Sequence, residues 1–159
     1  MSFDDWMLAL HVISAFAVVA GLILFWVVIF AARRTDIPEA TLRMGPMTRV
    51  ADAAIGVGMG GTILLGIWLA FSVGGYDIWD PWIVAAIVLW LVAAELGRRT
   101  GKAYEPVVSK ARELQAAGQT GPSPELLALN RTSNGVMLQA LSTLVILLIV
   151  VDMIWKPGA

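Results

Sequence analysis

Residues 6–32 read WMLALHVISAFAVVAGLILFWVVIFAA and carry no formal charge. Nothing else in the chain limits its fold as strongly. About 20 apolar residues of helix cross the hydrocarbon core of a bilayer, and this stretch exceeds that. Asp4 and Asp5 stand before it and Arg33 and Arg34 after it. A cleavable signal peptide has a basic start, a short apolar core and a small-residue cleavage site. Here the start is acidic and the apolar run is too long, so the stretch reads as a retained transmembrane helix. Composition agrees: 58% of the 159 residues are hydrophobic and 14% charged, the balance of a membrane protein.

Three further spans follow, giving one all-α membrane domain over residues 1–159. The first span is about 6–31. The second is about 53–72, inside an uncharged window between Asp52 and Asp77. The third is about 81–97; Asp80 is placed to cap it and Pro81 suits the first helical position. Its uncharged part, 81–94, is short, so Glu95 falls at the edge of the hydrocarbon. The fourth is about 134–155. Between the third and fourth spans a helical segment is expected over about 104–131. Tyr104 to Ala117 forms one helix and Gly118 to Pro122 breaks it. Ser123 caps a second helix with Pro124 at its first position. That second helix is expected to run unbroken into the fourth span and to project about two turns beyond the bilayer.

Charge orients the bundle. Arg33, Arg34, Arg43 and Arg49 lie in the first connection. Arg98, Arg99, Lys102, Lys110, Arg112 and Arg131 lie in the third. These are ten of the eleven basic residues, and only Lys156 lies on the other side. The positive-inside rule then places both connections in the cytoplasm and both termini outside. Trp6, Tyr76, Trp79, Trp82 and Trp155 fall at the outer interface, where amphipathic rings settle at headgroup depth. A net charge of −1 argues against nucleic acid as a partner. With no cysteine and one histidine, disulfides, thiolate sites and multi-histidine metal sites within one chain are excluded.

Small and polar residues inside the spans mark where helices meet, because lipid supplies little hydrophobic force between helices. In the second span Ala53, Gly56 and Gly60 share one helical face, and Gly58 and Gly61 lie on another. Such a helix can approach two neighbours closely; the alternative is that its glycines leave room for a ligand or a pore. In the fourth span Gly135, Gln139, Ser142, Thr143, Ile146 and Met153 share a face, which should point inward because lipid offers Gln139 no partner. Asp152 lies off that stripe and is placed to pair with Lys156 one turn on, or to turn toward His11. Asp52, Glu95 and Arg98, with Arg49 and Arg131 nearby, gather at the cytoplasmic ends of the spans. They form either an ion-pair cluster or the polar mouth of a solute path.

His11 is open to several roles: a hydrogen-bonded interhelical histidine, a proton carrier, a metal ligand or an axial haem ligand. A second haem ligand would have to be Met153, at compatible depth, or another chain's His11, or nothing from the protein.

The stretches LALHVISAFAVVAGLILFW, LLGIWLA, DPWIVAAIVLWLVA and VVDMIWKPG together resemble a family of small four-helix bacterial membrane proteins. That family is catalogued as a predicted integral membrane protein, domain of unknown function 2269. The likeness runs over nearly the whole chain, and its most specific piece is the ending on a methionine followed by Lys156–Pro157. It implies a multi-pass protein of the bacterial inner membrane. The opening is also similar to the first helix of membrane protoporphyrinogen oxidase and to copper-resistance D-type domains. In the oxidase family the first-helix histidine is haem-associated, a role that the resemblance would give to His11. Val18, Val19 and Ala20 stand where a Trp–x–x–Gly pattern is expected, with only Gly21 kept, and there is no second histidine.

No P-loop, catalytic acid pair or nucleophile–base set is present. The sequence therefore points to a non-enzymatic transport or channel component, or an accessory or assembly subunit, working as a homo-oligomer or within a larger membrane complex. The alternative is a haem- or porphyrin-binding redox protein using His11. The orientation is directly testable, since the chain has no cysteine of its own. A membrane-impermeant maleimide applied to intact cells should label Ser2→Cys and leave Gln119→Cys untouched. The reverse pattern would invert the topology.

Overall fold

In the bilayer core a backbone must satisfy its own hydrogen bonds, so charge-free stretches become helices. The computed structural model describes residues 2–73 and 76–158, and every regular element in them is a helix. In order these are α1 (Phe3–Ala32), α2 (Pro38–Arg43), α3 (Gly45–Ser72), α4 (Pro81–Ala116), α5 (Pro124–Thr132) and α6 (Gly135–Trp155). Four stretches are long and apolar enough to cross a membrane: Phe3–Ala32, Pro38–Ser72, Pro81–Ala116 and Pro124–Trp155. α1 opens on a reciprocal cap in which the Ser2 amide donates to Asp5 Oδ2 at 2.6 Å and the Asp5 amide donates to Ser2 Oγ at 3.2 Å.

The four long helices associate as two antiparallel pairs. α1 lies along α3, α4 lies along α6, and the pairs touch one another sparsely. The first pair is close because glycines remove the side chains that would hold it apart. A Cβ built at Gly58 would stand 2.6 Å from the Ser14 carbonyl oxygen, and one at Gly21 would stand 2.9 Å from that of Ala51. Gly61 faces the Ser14 side chain in the same way. In the second pair Gly135 admits the ring of Tyr104, and further along Ala93 and Ile146 join a buried cluster with Val18, Leu22 and Met59 of the first pair. The two pairs are tied by two indoles. Trp26 of α1 donates Nε1–H to Thr143 Oγ1 of α6 at 3.0 Å, and Trp90 of α4 donates to the Met59 carbonyl of α3 at 3.0 Å.

The connection between the third and fourth spans departs from the expected course in two ways. α4 does not stop at the membrane edge but continues unbroken to Ala116, passing through Pro106. Pro106 and Lys102, whose carbonyl loses its helical partner there, are both exposed, so water can satisfy that oxygen. α5 does not run on into α6. The chain turns extended at Ser133 (φ −62°, ψ 130°), whose hydroxyl donates to the Ala103 carbonyl and accepts from the Gly135 amide. Folding back lets α5 bury Leu126 fully against Val107 and Ala111 of α4, with Leu42 of α2 and Leu129 alongside. Burial of one such leucine stabilises by about 1.5–3 kcal/mol, which a helix projecting into water would forgo. Lys110 of α4 bridges Glu113 and Glu125 at 3.0 and 3.1 Å, and these carboxylates hold its ammonium above the usual lysine range.

Two glycines two residues apart on α3 therefore differ in tolerance. Gly58→Ala should destabilise the detergent-solubilised protein by about 1–3 kcal/mol, as overpacking does. Gly60→Ala has nothing within 4 Å of the added methyl and should be neutral or gain up to about 1 kcal/mol of helix propensity. Equal thermal shifts for the two would refute the assigned packing faces.

Candidate functional site

The face of α3 that does not touch α1 carries Asp52, Gly56 and Gly60 one turn apart. No atom comes within 4 Å of a Cβ built at Gly56 or Gly60. The sequence placed these glycines on a separate face from Gly58 and Gly61; Gly58 and Gly61 pack against α1, while the Gly56–Gly60 face borders empty space. That space is a cleft of about 400 Å³ between the helix pairs. Its apolar wall includes Leu22, Met59, Trp90 and Ile146, and its polar lining includes Gln139 and Ser142 of α6. Asp52 and Arg98 stand at the end nearer the basic connections. A second cavity of about 820 Å³ lies among α2, the start of α3 and the extension of α4. It is lined by Arg49, Tyr104, Arg112 and Asn130 among others. Phe25 and Asp52 line both cavities and stand between them.

Several polar groups in these cavities lack protein partners. Gln139 is 3% exposed, lines the cleft, and its Nε2 finds no acceptor among the described residues. Its carbonyl side of the turn is occupied elsewhere: the backbone oxygen of Gln139 accepts from Thr143 Oγ1 at 2.9 Å. Asn130 is fully buried in the wall of the larger cavity with neither amide atom paired, and the Tyr104 hydroxyl is likewise unpaired. An unpartnered buried amide costs about 1–3 kcal/mol, so such groups mark places where something else supplies the bond.

The inner charged layer separates into committed and uncommitted members. Glu95 holds Arg98 through two bonds of 2.6 and 2.7 Å and Arg99 through a third of 2.7 Å. Asp52 and Arg49, three residues apart on α3, are both exposed, and neither has an ion-pair partner among the described residues. Glu95 is thus paired with Arg98 and Arg99, and Asp52 stands outside that pairing.

At the other end of the bundle the expected Asp152–Lys156 pair does not form. Lys156 adopts a left-handed conformation (φ 43°) at the end of α6, which turns its side chain away from its own helix. Its ammonium donates to the Tyr76 hydroxyl at 2.9 Å and lies 4.5 and 5.3 Å from the ring centres of Tyr76 and Trp82. Asp152, expected off the inward stripe, is buried, and its Oδ2 has no partner among the described residues. His11 is half-buried between α1 and α3, with its Cε1 3.1 Å from a Cβ built at Gly66. It lines neither cavity. Met153 packs on the cluster of Ala70, Trp82 and Ile83. Asn130 and Tyr104 escaped sequence reading because one polar residue in an amphipathic helix looks solvated until the fold shows what covers it.

A family model described as predicted integral membrane protein (DUF2269) matches residues 6–157. The chain belongs to that family. No curated protein and no solved structure matches it. For this member of the family, the charged layer predicts unequal responses to neutralisation. Asp52→Asn should change thermal stability by less than about 0.5 kcal/mol, as expected of a surface group without a partner. Glu95→Gln releases two arginines and should cost about 0.2–1 kcal/mol, the range of exposed pairs. A larger loss for Asp52→Asn in detergent melts would show a partner that this geometry lacks.

Proposed function

We propose that this protein is a small non-enzymatic transport component of the bacterial inner membrane, which takes an amphipathic ligand into the cleft between its helix pairs. The observation that carries this reading is that the two cavities adjoin, with Phe25 and Asp52 in the lining of both. Side by side they extend from the basic face, past a free carboxylate, to the level of Met59 and Trp90 between the spans. The basic face is cytoplasmic in this reading, supported by the ten basic residues in the two connections. Entry in this reading is from the end of the cleft that carries Asp52 and Arg98, between helix pairs that touch sparsely. A cleft of about 400 Å³ falls within the range of small-molecule sites, about 300–1,000 Å³. The lining is mostly apolar with a few fixed polar groups, which suits a ligand with a tail and a polar head.

Chemistry at a bound haem is the weaker reading. His11 faces glycine on a neighbouring helix and lines neither cavity, while Met153 is occupied in a separate apolar cluster.

The cleft reading is tested with protein held in neutral maltoside micelles and melted in the presence of dodecylamine, dodecanoate or lysophosphatidylethanolamine. A ligand at a hundred times its Kd adds about 2.7 kcal/mol. At least one of the three should raise the melting temperature of the wild type and leave Gly60→Leu unmoved, since that leucine fills the cleft. A wild type unaffected by all three would remove the proposal.

A further inference from the structure

The geometry points to a diacyl phospholipid with a primary-ammonium headgroup, an ethanolamine-type lipid, as the cleft's ligand. This rests on the cleft reading above and names the ligand class it takes. Three observations on one side of α3 carry it. Four charged side chains without an ion-pair partner among the described residues line the larger cavity: Arg49, Asp52, Glu105 and Arg112. Of these, Arg49 and Asp52 stand one helical turn apart on α3 and Asp52 also lines the cleft, whereas Arg98 and Arg99 are already held by Glu95. A phosphate on Arg49 and an ammonium on Asp52 reproduce the charge order of a zwitterionic headgroup. Above Asp52, Gly56 and Gly60 leave an open track that rises about 12 Å along α3. Its volume of about 400 Å³ admits a segment of one chain and leaves the second in the bilayer. Gln139, 3% exposed, lines that track, and its Nε2 is a donor without a partner among the described residues that is itself covered, so the amide must turn to meet a ligand in the cleft. It lies one turn inside the start of α6, the depth at which an ester carbonyl, an acceptor without a donor of its own, lies below its headgroup.

The primary ammonium matters because Asp52 can accept hydrogen bonds from it and not from a trimethylated head. Purified protein is therefore loaded from micelles containing equal amounts of ethanolamine, choline and glycerol phospholipids with identical chains, and retained lipid is read by native mass spectrometry. The ethanolamine lipid should dominate on the wild type. Asp52→Asn should lower its retention about tenfold relative to the choline lipid, the equivalent of one charge-assisted hydrogen bond. Arg49→Gln should lower all three. Gly60→Leu should abolish retention, and Val57→Leu, on the exposed lipid-facing side, should leave it unchanged. Equal retention of the three lipids by the wild type, or an ethanolamine preference that survives Asp52→Asn, would overturn the assignment. A wild type that responds to amphipaths in the melt yet shows no headgroup preference sinks the lipid class alone. One that responds to nothing sinks the cleft reading with it.

Discussion

The close approach of α1 and α3 sets the terms for everything else in this molecule. In lipid, apolar side chains are no better off against one another than against acyl chains, so helices adhere where they can come closest. Gly21, Gly58 and Gly61 bring two backbones within reach along an antiparallel seam, and a single methyl at Gly58 would collide with a main-chain oxygen. With α3 committed to α1 on that face, its other small face is left without a neighbour of equal closeness. The second pair, α4 and α6, is built mainly on its own contacts, with Tyr104 over Gly135 at one end, while Ala93 and Ile146 share one buried cluster with Val18, Leu22 and Met59 of the first pair. The cleft is the space between two seams that were each closed separately.

Two indole hydrogen bonds bridge that space, and their placement limits what the cleft can be. Trp90 closes it at mid-bilayer by donating to a carbonyl that already accepts from Thr62 Oγ1 at 3.0 Å. Trp26 holds α1 to α6 on the opposite side. Both bonds are part-buried and join helices that otherwise touch sparsely, so losing either would leave an indole donor without its partner. The polar residues of the spans thus divide by role. Thr143 and Thr62 serve helix contacts, while Gln139 and Asp52 face the unfilled volume.

Much of this was legible in the sequence because the membrane narrows the options. The four spans follow from charge-free length, and the separation of Gly56 and Gly60 from Gly58 and Gly61 follows from helical spacing. The inward face of α6 was read correctly at Gln139, Ser142 and Ile146, each of which is buried. What escaped depended on choices that local pattern does not decide. Ser133 resembles any mid-helix serine until Ala103 is beside it. Lys156 was assigned to Asp152 by spacing alone. That rule assumes helical backbone at both positions, whereas Lys156 sits past the last turn with its φ positive. The helix expected over 104–117 already ran through Pro106, where exposure relieves the usual penalty; what escaped was its join to the third span, because the polar stretch 98–103 with Gly101 reads as a connection.

The division into pairs also follows the order of the chain. Each long helix finds its main neighbour within its own half of the sequence. Contacts that are local in sequence form quickly, and chains fold from the N-terminus as they are made. The α1–α3 seam can therefore close before α4 has been synthesised, with no long-range partner to await. The second half then inserts beside a finished hairpin rather than into a loose bundle. Such a history leaves the boundary between the halves as the last surface to form and the least tightly knit, the place where the fewest protein contacts hold the bundle together.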